Sequence, residues 1–410
     1  MEQNNHLTNR PTPAAPVSPP KPSSKVDDTA VTSIPQQIIP RHRPTFATPL
    51  LQSTRSETLQ WTLPKPFQQH KLIGRSRAAW HTSFLVPSLN AVLDAGLIID
   101  NSRPQNVFIT HGHSDHSYHV LTYCRRIAVP DVYVPAQTAK FLDDYIMSGK
   151  CLNLNVNVKG YHNFDADGNR RSSPSTSCIE TDSSAAGADT DDEGEEDGDS
   201  EGEGHVMLPT HNIIPVNPTS PQTYPLKTNP TIYVSVLPRV HTVPSVGFLF
   251  TQTSNRLKPI YRALPGPQLK QLREDGVQIT YQHHSPILAF LGDGDHTSLL
   301  DDPEWLVGNE ERGVSHCPVV ITECSFLDER HRWQAQNTRH TLWTDLEPLV
   351  RRHSRTVWVL IHFSKRYSEV EIVEFFEGLA DREEGCPPNI VVWVDDGGEI
   401  VPKQAVKKKG

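Results

Sequence analysis

The sequence lacks any apolar run long enough to span a bilayer, which needs about twenty residues, so no membrane-spanning helix is expected. It lacks a C-x-x-C pair. Its six cysteines, Cys124, Cys151, Cys178, Cys317, Cys324 and Cys386, are scattered over 410 residues. That excludes a disulfide framework and fits ordinary thiols in a reducing compartment. The N-terminus lacks the basic-then-apolar signal of a secreted chain, so an intracellular location in cytoplasm or nucleus is expected, with an organelle left open. Hydrophobic residues make up only 36%, and 35 prolines outnumber 23 glycines, so one compact body over the whole length is not expected. An excess of positive charge is also missing. Against 39 Lys and Arg stand 48 Asp and Glu, a formal net charge of -9. At face value this argues against a nucleic-acid binder with a broad basic surface.

The deficits are local. Residues 1–45 hold nine prolines, as in PTPAAPVSPPKPSSK, and no aromatic before Phe46. Such a segment cannot bury enough apolar area to offset its ordering entropy, and it reads as a disordered tail. Glu2, Asp27, Asp28 and sparse arginines speak against an organelle transit peptide. A second break runs over about 163–219. Its centre, Glu180–Glu203, holds twelve acidic residues and no basic ones. Charge of that density favours a solvated coil, read here as a disordered insertion between ordered strands. Without those twelve, 36 acidic residues face 39 basic ones, a remainder of +3. The acidity therefore belongs to the insertion and not to the body.

The body, residues 46–410, alternates short apolar runs with helical patterns. VFIT (107–110), TIYVSVL (231–237), VGFLF (246–250), ILAFL (287–291), PVVIT (318–322), TVWVLI (356–361) and IVVWV (390–394) read as buried strands. HTLWTDLEPLVRRH (340–353) and SEVEIVEFFEGLA (368–380) read as helices. The second places Val370, Val373 and Phe376 on one face, with Ile372, Phe375 and Leu379 beside them. This order predicts a layered α/β sandwich.

The strand VFIT runs into His111, Gly112, His113, Ser114, Asp115 and His116. Three histidines and a carboxylate at the end of a buried strand form a strong metal-binding signal. The turn lets His111 and His113 point together while Asp115 and His116 face a neighbouring point, which suits two metals. The bland alternative is a polar turn with incidental histidines. His241, Asp293 and His362 also follow strands. Singly they read as a loop histidine, a turn aspartate and a core histidine; together with His111–His116 they gain weight.

With H-x-H-x-D-H, a strand-following His, a Gly-Asp and a late H-F-S-x-R-Y, the sequence resembles the ribonuclease Z branch of the metallo-β-lactamase superfamily. That branch comprises transfer-RNA 3′-processing endonucleases. The matching pieces are GRSRAAWHTSF (74–84), LDAG (93–96), FITHGHSDH (108–116), HTVPSVGF (241–248), LPGPQLKQLREDG (264–276), FLGDGDHTS (290–298), ITECSF (321–326) and HFSKRY (362–367). The resemblance covers roughly 65–400 apart from the acidic stretch. It implies an αββα sandwich and two metal sites filled by Zn2+, with Mn2+ or Fe2+ as alternatives. The first would use His111, His113, His241 and Asp293, and the second Asp115, His116, Asp293 and His362. Asp293 would bridge, and a hydroxide held between the metals would attack phosphorus. Asp115 would also hold that hydroxide. Glu323 would orient His340 as general acid; a plain ion pair is the bland alternative. Asp94 would orient a ligand from behind, or cap a turn. Lys365, Arg366 and Thr297, with Ser76 and Arg77, are weaker candidates for substrate phosphate; Arg366 has the alternative of pairing with a carboxylate beneath the site. His283 and His284 are read as non-ligands.

Three departures stand out. The branch carries His-Glu-Ala-Thr where this chain has Thr322-Glu323-Cys324-Ser325, and Gly-Asp-Thr where it has Gly292-Asp293-Gly294. The branch also carries a protruding arm between the third ligand and the bridging aspartate. Here 51 residues separate His241 from Asp293, with no obvious long basic arm. The leading expectation is a phosphodiesterase acting on precursor transfer RNA, in an assembly that the resemblance implies to be a homodimer, and with no membrane partner. A hydrolase of a small phosphodiester or other ester is the alternative. A non-catalytic binding protein with a vestigial site is the third reading.

Overall fold

The computed structural model describes residues 36–39, 45–53, 56–125, 129–154, 178–179, 205–206 and 210–402. Two sheets face each other. The first has eight strands in the order Asn212–Val216, Asp131–Pro135, Asn106–Phe108, Ala91–Leu93, His81–Val86, Lys71–Arg77, Leu59–Thr62 and Leu50–Leu51. The second has seven, in the order Thr223–Leu226, Asn229–Pro238, Val246–Leu257, Thr280–Phe290, Val319–Glu323, Val357–Ile361 and Ile390–Val392.

Each sheet is antiparallel over one part and parallel over the other. The parallel strands are covered on both faces and are apolar along their length, as in VWVLI. Between the sheets lies one core, with Phe84, Phe108, Phe248, Phe250, Phe290 and Trp393 fully buried. Outside the first sheet, the helix Ala139–Leu154 packs through Ala139, Leu142 and Ile146. Outside the second sheet, the helices Trp343–Arg352 and Glu369–Gly378 cover a further core. The result is the expected αββα sandwich.

All seven expected strands are present within a few residues, and several corrections apply to the rest. The helical pattern of 340–353 forms a helix only over Trp343–Arg352, so His340 lies in the link before it and does not begin it. In the last helix Ile372, Val373 and Phe376 are buried while Val370 is 65% exposed, so the inward face is set one position round from the expected one. Asn212–Val216, inside the stretch assigned to the insertion, is an edge strand of the first sheet with Ile213 and Val216 buried. Gln36–Ile39, inside the expected tail, pairs antiparallel with Glu399–Pro402. The acidic centre, 180–203, and residues 1–35 lie outside the described residues.

The interval between His241 and Asp293 is also more organised than expected. Thr251–Leu257 and Thr280–Ser285 continue as a two-stranded ribbon. Between them sits the helix Gly266–Glu274, which has no buried residue. From Ser254 to Gln278 this excursion carries Arg256, Lys258, Arg262, Lys270 and Arg273 against Glu274 and Asp275. It is a short basic projection where none was read from the sequence.

Candidate metal centre

The site forms where strands of both sheets end. Thr110 and His111 follow Asn106–Phe108, His241 follows Asn229–Pro238, and Asp293 follows Thr280–Phe290. Glu323 closes its strand, and His362 comes directly after Val357–Ile361 with a positive φ of 60°. Each strand is fixed by the core beneath it, so the ligand-type side chains emerge from rigid supports.

Three triads of donor atoms lie within 4.8 Å of one another: His111, His113 and His241; His111, His116 and Asp293; and Asp115, His116 and His362. The seven residues expected as ligands are therefore gathered in one place, and the triad of His111, His116 and Asp293 joins residues that the resemblance assigns to two separate sites. Two further triads include His340, one with His241 and Asp293 and one with Glu323 and His362.

Asp293 occupies the middle. Its Oδ2 is 3.3 Å from Nε2 of both His116 and His362, and 3.8 Å from Nε2 of His111. Its Oδ1 is buried with no hydrogen-bond partner. Nε2 of His116 and Nε2 of His362 face each other at 3.3 Å, and Nε2 of His111 faces Nδ1 of His113 at 3.1 Å. Imidazole nitrogens thus converge on Oδ2 while Oδ1 of the same buried carboxylate has no protein partner, an arrangement of donors suited to a cation. The donor set, five imidazoles and two carboxylates, suits zinc or a similar borderline ion, and the residues fit a metal pair.

Four imidazoles are gripped from behind. Nδ1 of His116 meets Asp94 at 2.7 Å. Nδ1 of His111 meets Thr110 Oγ1 at 3.0 Å, and this hydroxyl in turn donates to Asp94. Nδ1 of His241 donates to the Arg339 carbonyl at 3.2 Å. Nδ1 of His362 meets Ser325 Oγ at 3.1 Å. Each contact leaves Nε2 turned to the centre. Asp94 is wholly buried and accepts from the Thr110 N–H as well.

Burial pushes the Asp94 carboxyl up from its ordinary value, against the pull of His116 and Thr110. Burial would lower His116, but Asp293 and Asp94 outweigh it and hold His116 well above the usual imidazole range. His111 is driven well below that range by burial and by His116.

Glu323 and His340 meet as expected, with Nδ1 of His340 2.9 and 3.0 Å from the two carboxylate oxygens. Glu323 is fully buried and also accepts from the N–H groups of Gly294 and Thr341 and from Ser325 Oγ. Burial alone would depress His340; Glu323 reverses this and raises it to about 9.

The weaker candidates fare differently. Thr297 donates through both its N–H and its hydroxyl to Asp295, as the first turn of a short helix. Arg366 is exposed, donates to Ser364 and Gln334, and lies over the Phe326 ring; it pairs with no carboxylate beneath the site. Lys365 is exposed. Ser76 is buried and accepts from the N–H of His362, so it sets that ligand's backbone. Arg77 is buried and donates to the Tyr367 carbonyl. His283 and His284 lie outside every triad.

Thr110, Ser325 and Arg239 were not found from the sequence. Thr110 carried a signal, as the hydroxyl directly before the first histidine at a strand end. Arg239 is buried and donates to the Gly294 carbonyl and to Ser298. A Cβ on Gly294 would lie 3.0 Å from its guanidinium. The arginine fills the space that a side chain after Asp293 would need, which accounts for the glycine.

Comparison with known proteins adds to this geometry. Over 155 residues the chain is 33% identical to the chloroplastic tRNase Z TRZ2 of Arabidopsis thaliana, covering 37% of this chain and 41% of that protein. Over 146 residues it is 27% identical to tRNase Z TRZ1 of the same plant, covering 35% of this chain and 50% of that protein. The chain is thus similar in sequence to two proteins named tRNase Z. The match spans half or less of the length of these relatives. No family profile matches the chain. Among solved structures, human tRNase Z, short form, aligns with 72% of this chain and 92% of its own at 16% identity and a TM-score of 0.39. The metallo-β-lactamase fold protein YhfI of Bacillus subtilis aligns with 89% and 98% at 9% identity and a TM-score of 0.37.

Proposed function

We propose that this relative of the tRNase Z proteins is a metal-dependent phosphodiesterase, that its substrate is precursor transfer RNA, and that it leaves a 3′-hydroxyl. The observation that carries the reading is the set of adjoining triads around Asp293, whose Oδ1 is buried without a partner. His111, His113, His241 and Asp293 would hold one ion, and Asp115, His116, Asp293 and His362 the other, zinc being the ion the donors suit best. Bound there, such a pair supplies Lewis-acid stabilisation of phosphate oxygens and brings the pKa of water from 15.7 to about 7.

The chain's own groups do the rest. Asp115, 13% exposed at its side chain, faces the centre from the more open side, where it can orient the attacking water. His340, kept cationic by Glu323, donates a proton to the departing 3′-oxygen as the phosphorus–oxygen bond breaks. Glu323 holds Nδ1 of His340, so the proton to be given sits on Nε2. The two relatives named tRNase Z support RNA as substrate.

The test pairs metal analysis with cleavage of precursor transfer RNA and of a chromogenic phosphodiester. Asp293→Ala should lose metal. His340→Ala should keep it and slow RNA cleavage by about 10²–10⁴-fold, the usual worth of a positioned acid. Equal metal loss in both variants would make His340 a ligand instead. Cleavage of the small ester alone would reject transfer RNA as substrate.

A further inference from the structure

A second cavity lies at the other end of the second sheet. The strand Thr280–Phe290 runs from it to the metal centre, and His283 and Phe290 are seven residues apart, roughly 23 Å at ~3.3 Å per residue. The cavity has a volume of about 440 Å³, within the usual range for small-ligand pockets. Arg256, Arg262 and Arg355 line it, together with Tyr281, His283 and His316. Glu310 is the only carboxylate on its wall. None of the three arginines makes an ion pair with a carboxylate among the described residues.

Two more observations point to a ligand. His283 is 7% exposed, and its Nδ1 is buried with no partner, while its Nε2 meets Ser315 Oγ at 2.9 Å. The wall is also built in advance. The His284 N–H donates to the Gly313 carbonyl at 2.8 Å, and the Ser315 N–H donates to the His284 carbonyl at 2.9 Å. Gly313 has a φ of 69°, and a Cβ there would press on the Tyr281 ring at 2.8 Å. These contacts fasten the loop 307–316 to the strand that carries His283.

Like charges gathered without a counter-ion cost stability until an anion joins them. The field is felt by the histidines: burial lowers His283, and Arg256 lowers it further, while His316 is lowered by burial and by Arg355. Guanidinium groups arrayed in a fork match phosphate oxygens better than any other common ligand.

The geometry points to a second, non-catalytic site in this cavity that binds a phosphate-bearing anion through Arg256, Arg262 and Arg355. This does not depend on the reading of the metal centre. The phosphate can come from a free nucleotide or from the backbone of an RNA, and one set of variants separates the two. The full, metal-loaded chain is titrated with adenosine 5′-monophosphate, with pyrophosphate and with a precursor transfer RNA. The same is done with Arg256→Gln/Arg262→Gln/Arg355→Gln and with the single variant Arg355→Gln. All three arginines are exposed, so folding is not at stake. Hydrolysis of a small chromogenic phosphodiester is followed in parallel and reports on the metal centre alone.

We expect the triple variant to bind at least one probe about ten-fold more weakly than the native chain, with Arg355→Gln intermediate and small-ester hydrolysis unchanged. The same probe should raise the melting temperature of the native chain and not of the triple variant. A loss confined to nucleotide and pyrophosphate assigns a small-molecule site, and a loss confined to RNA assigns a backbone contact. Unchanged binding of all three probes would overturn the proposal. So would a triple variant that loses small-ester hydrolysis in step with binding, because the probes would then be reading the metal centre.

Discussion

His111, His116, His241 and His362 show how a candidate metal site can be set by atoms outside its donor set. Each ring is held at Nδ1 by a partner of its own: a threonine hydroxyl, a carboxylate, a backbone carbonyl and a serine hydroxyl. The histidines were legible in the sequence because His111, His241 and His362 follow apolar strands and His116 lies in the same short motif as His111. Two of their supports were not, because Ser325 and the Arg339 carbonyl carry no pattern of their own. Asp94 is the support with most to lose, since it holds His116 directly and His111 through Thr110. Asp94→Asn keeps the shape but removes the charge and puts an N–H donor near His116. It should cost about 10–100-fold in metal affinity, measured by competition with a chelator. An affinity equal to that of the native chain would reduce Asp94 to a turn residue.

At the scale of elements, the turn after Thr280–Phe290 packs closely against the end of a neighbouring strand. Gly292 has a φ of 59°, and a Cβ there would lie 2.6 Å from Thr110 Cγ2 and 2.7 Å from its Oγ1. The contact would push the hydroxyl that orders Asp94 and His111. Gly292→Ala should therefore lower stability by about 1–3 kcal/mol from backbone strain and weaken metal retention as well, read by thermal melts and metal content. The helix Glu369–Gly378 offers the opposite case. Its Ser368 and Glu371 form a reciprocal capping box on the surface. Ser368→Ala should cost about 0.5–2 kcal/mol in unfolding and leave cleavage unchanged; altered cleavage would show that this helix end reaches the site.

The elements also show where periodicity stops informing. The parallel strands were found because both faces are buried. Strands such as Lys71–Arg77 were not, because KLIGRSR carries charge into positions that the fold buries through hydrogen bonds: Ser76 to Thr82 and His362, Arg77 to Tyr367. Asn212–Val216 was hidden for another reason. Its five residues, NIIPV, contain a proline and adjoin the acidic stretch, so composition outweighed pattern.

For the whole molecule, the proposed RNA substrate has to be reconciled with a formal net charge of -9. Twelve of its acids lie in Glu180–Glu203, and Cys178–Ile179 pairs antiparallel with His205–Val206 on either side. Ile179 and His205, which flank the stretch, are thus about one strand spacing, ~4.8 Å, apart. A Gly-Ser linker can replace Glu180–Glu203 without moving what flanks it, and the net charge then becomes +3. If the acids compete with RNA for the basic surfaces, this variant should bind precursor RNA more tightly, on the order of ten-fold at low salt. The gain should shrink as salt rises, because the screening length falls from ~30 Å at 0.01 M to ~10 Å at 0.1 M. Hydrolysis of a small chromogenic phosphodiester, which feels only the metal centre, should stay the same. Binding that weakens on removal would mean that the stretch itself contacts the substrate complex. Binding that is unchanged at every salt would leave the acids outside reach of the RNA, and the attraction would then have to come from short-range contacts at the metal centre and the arginine cavity.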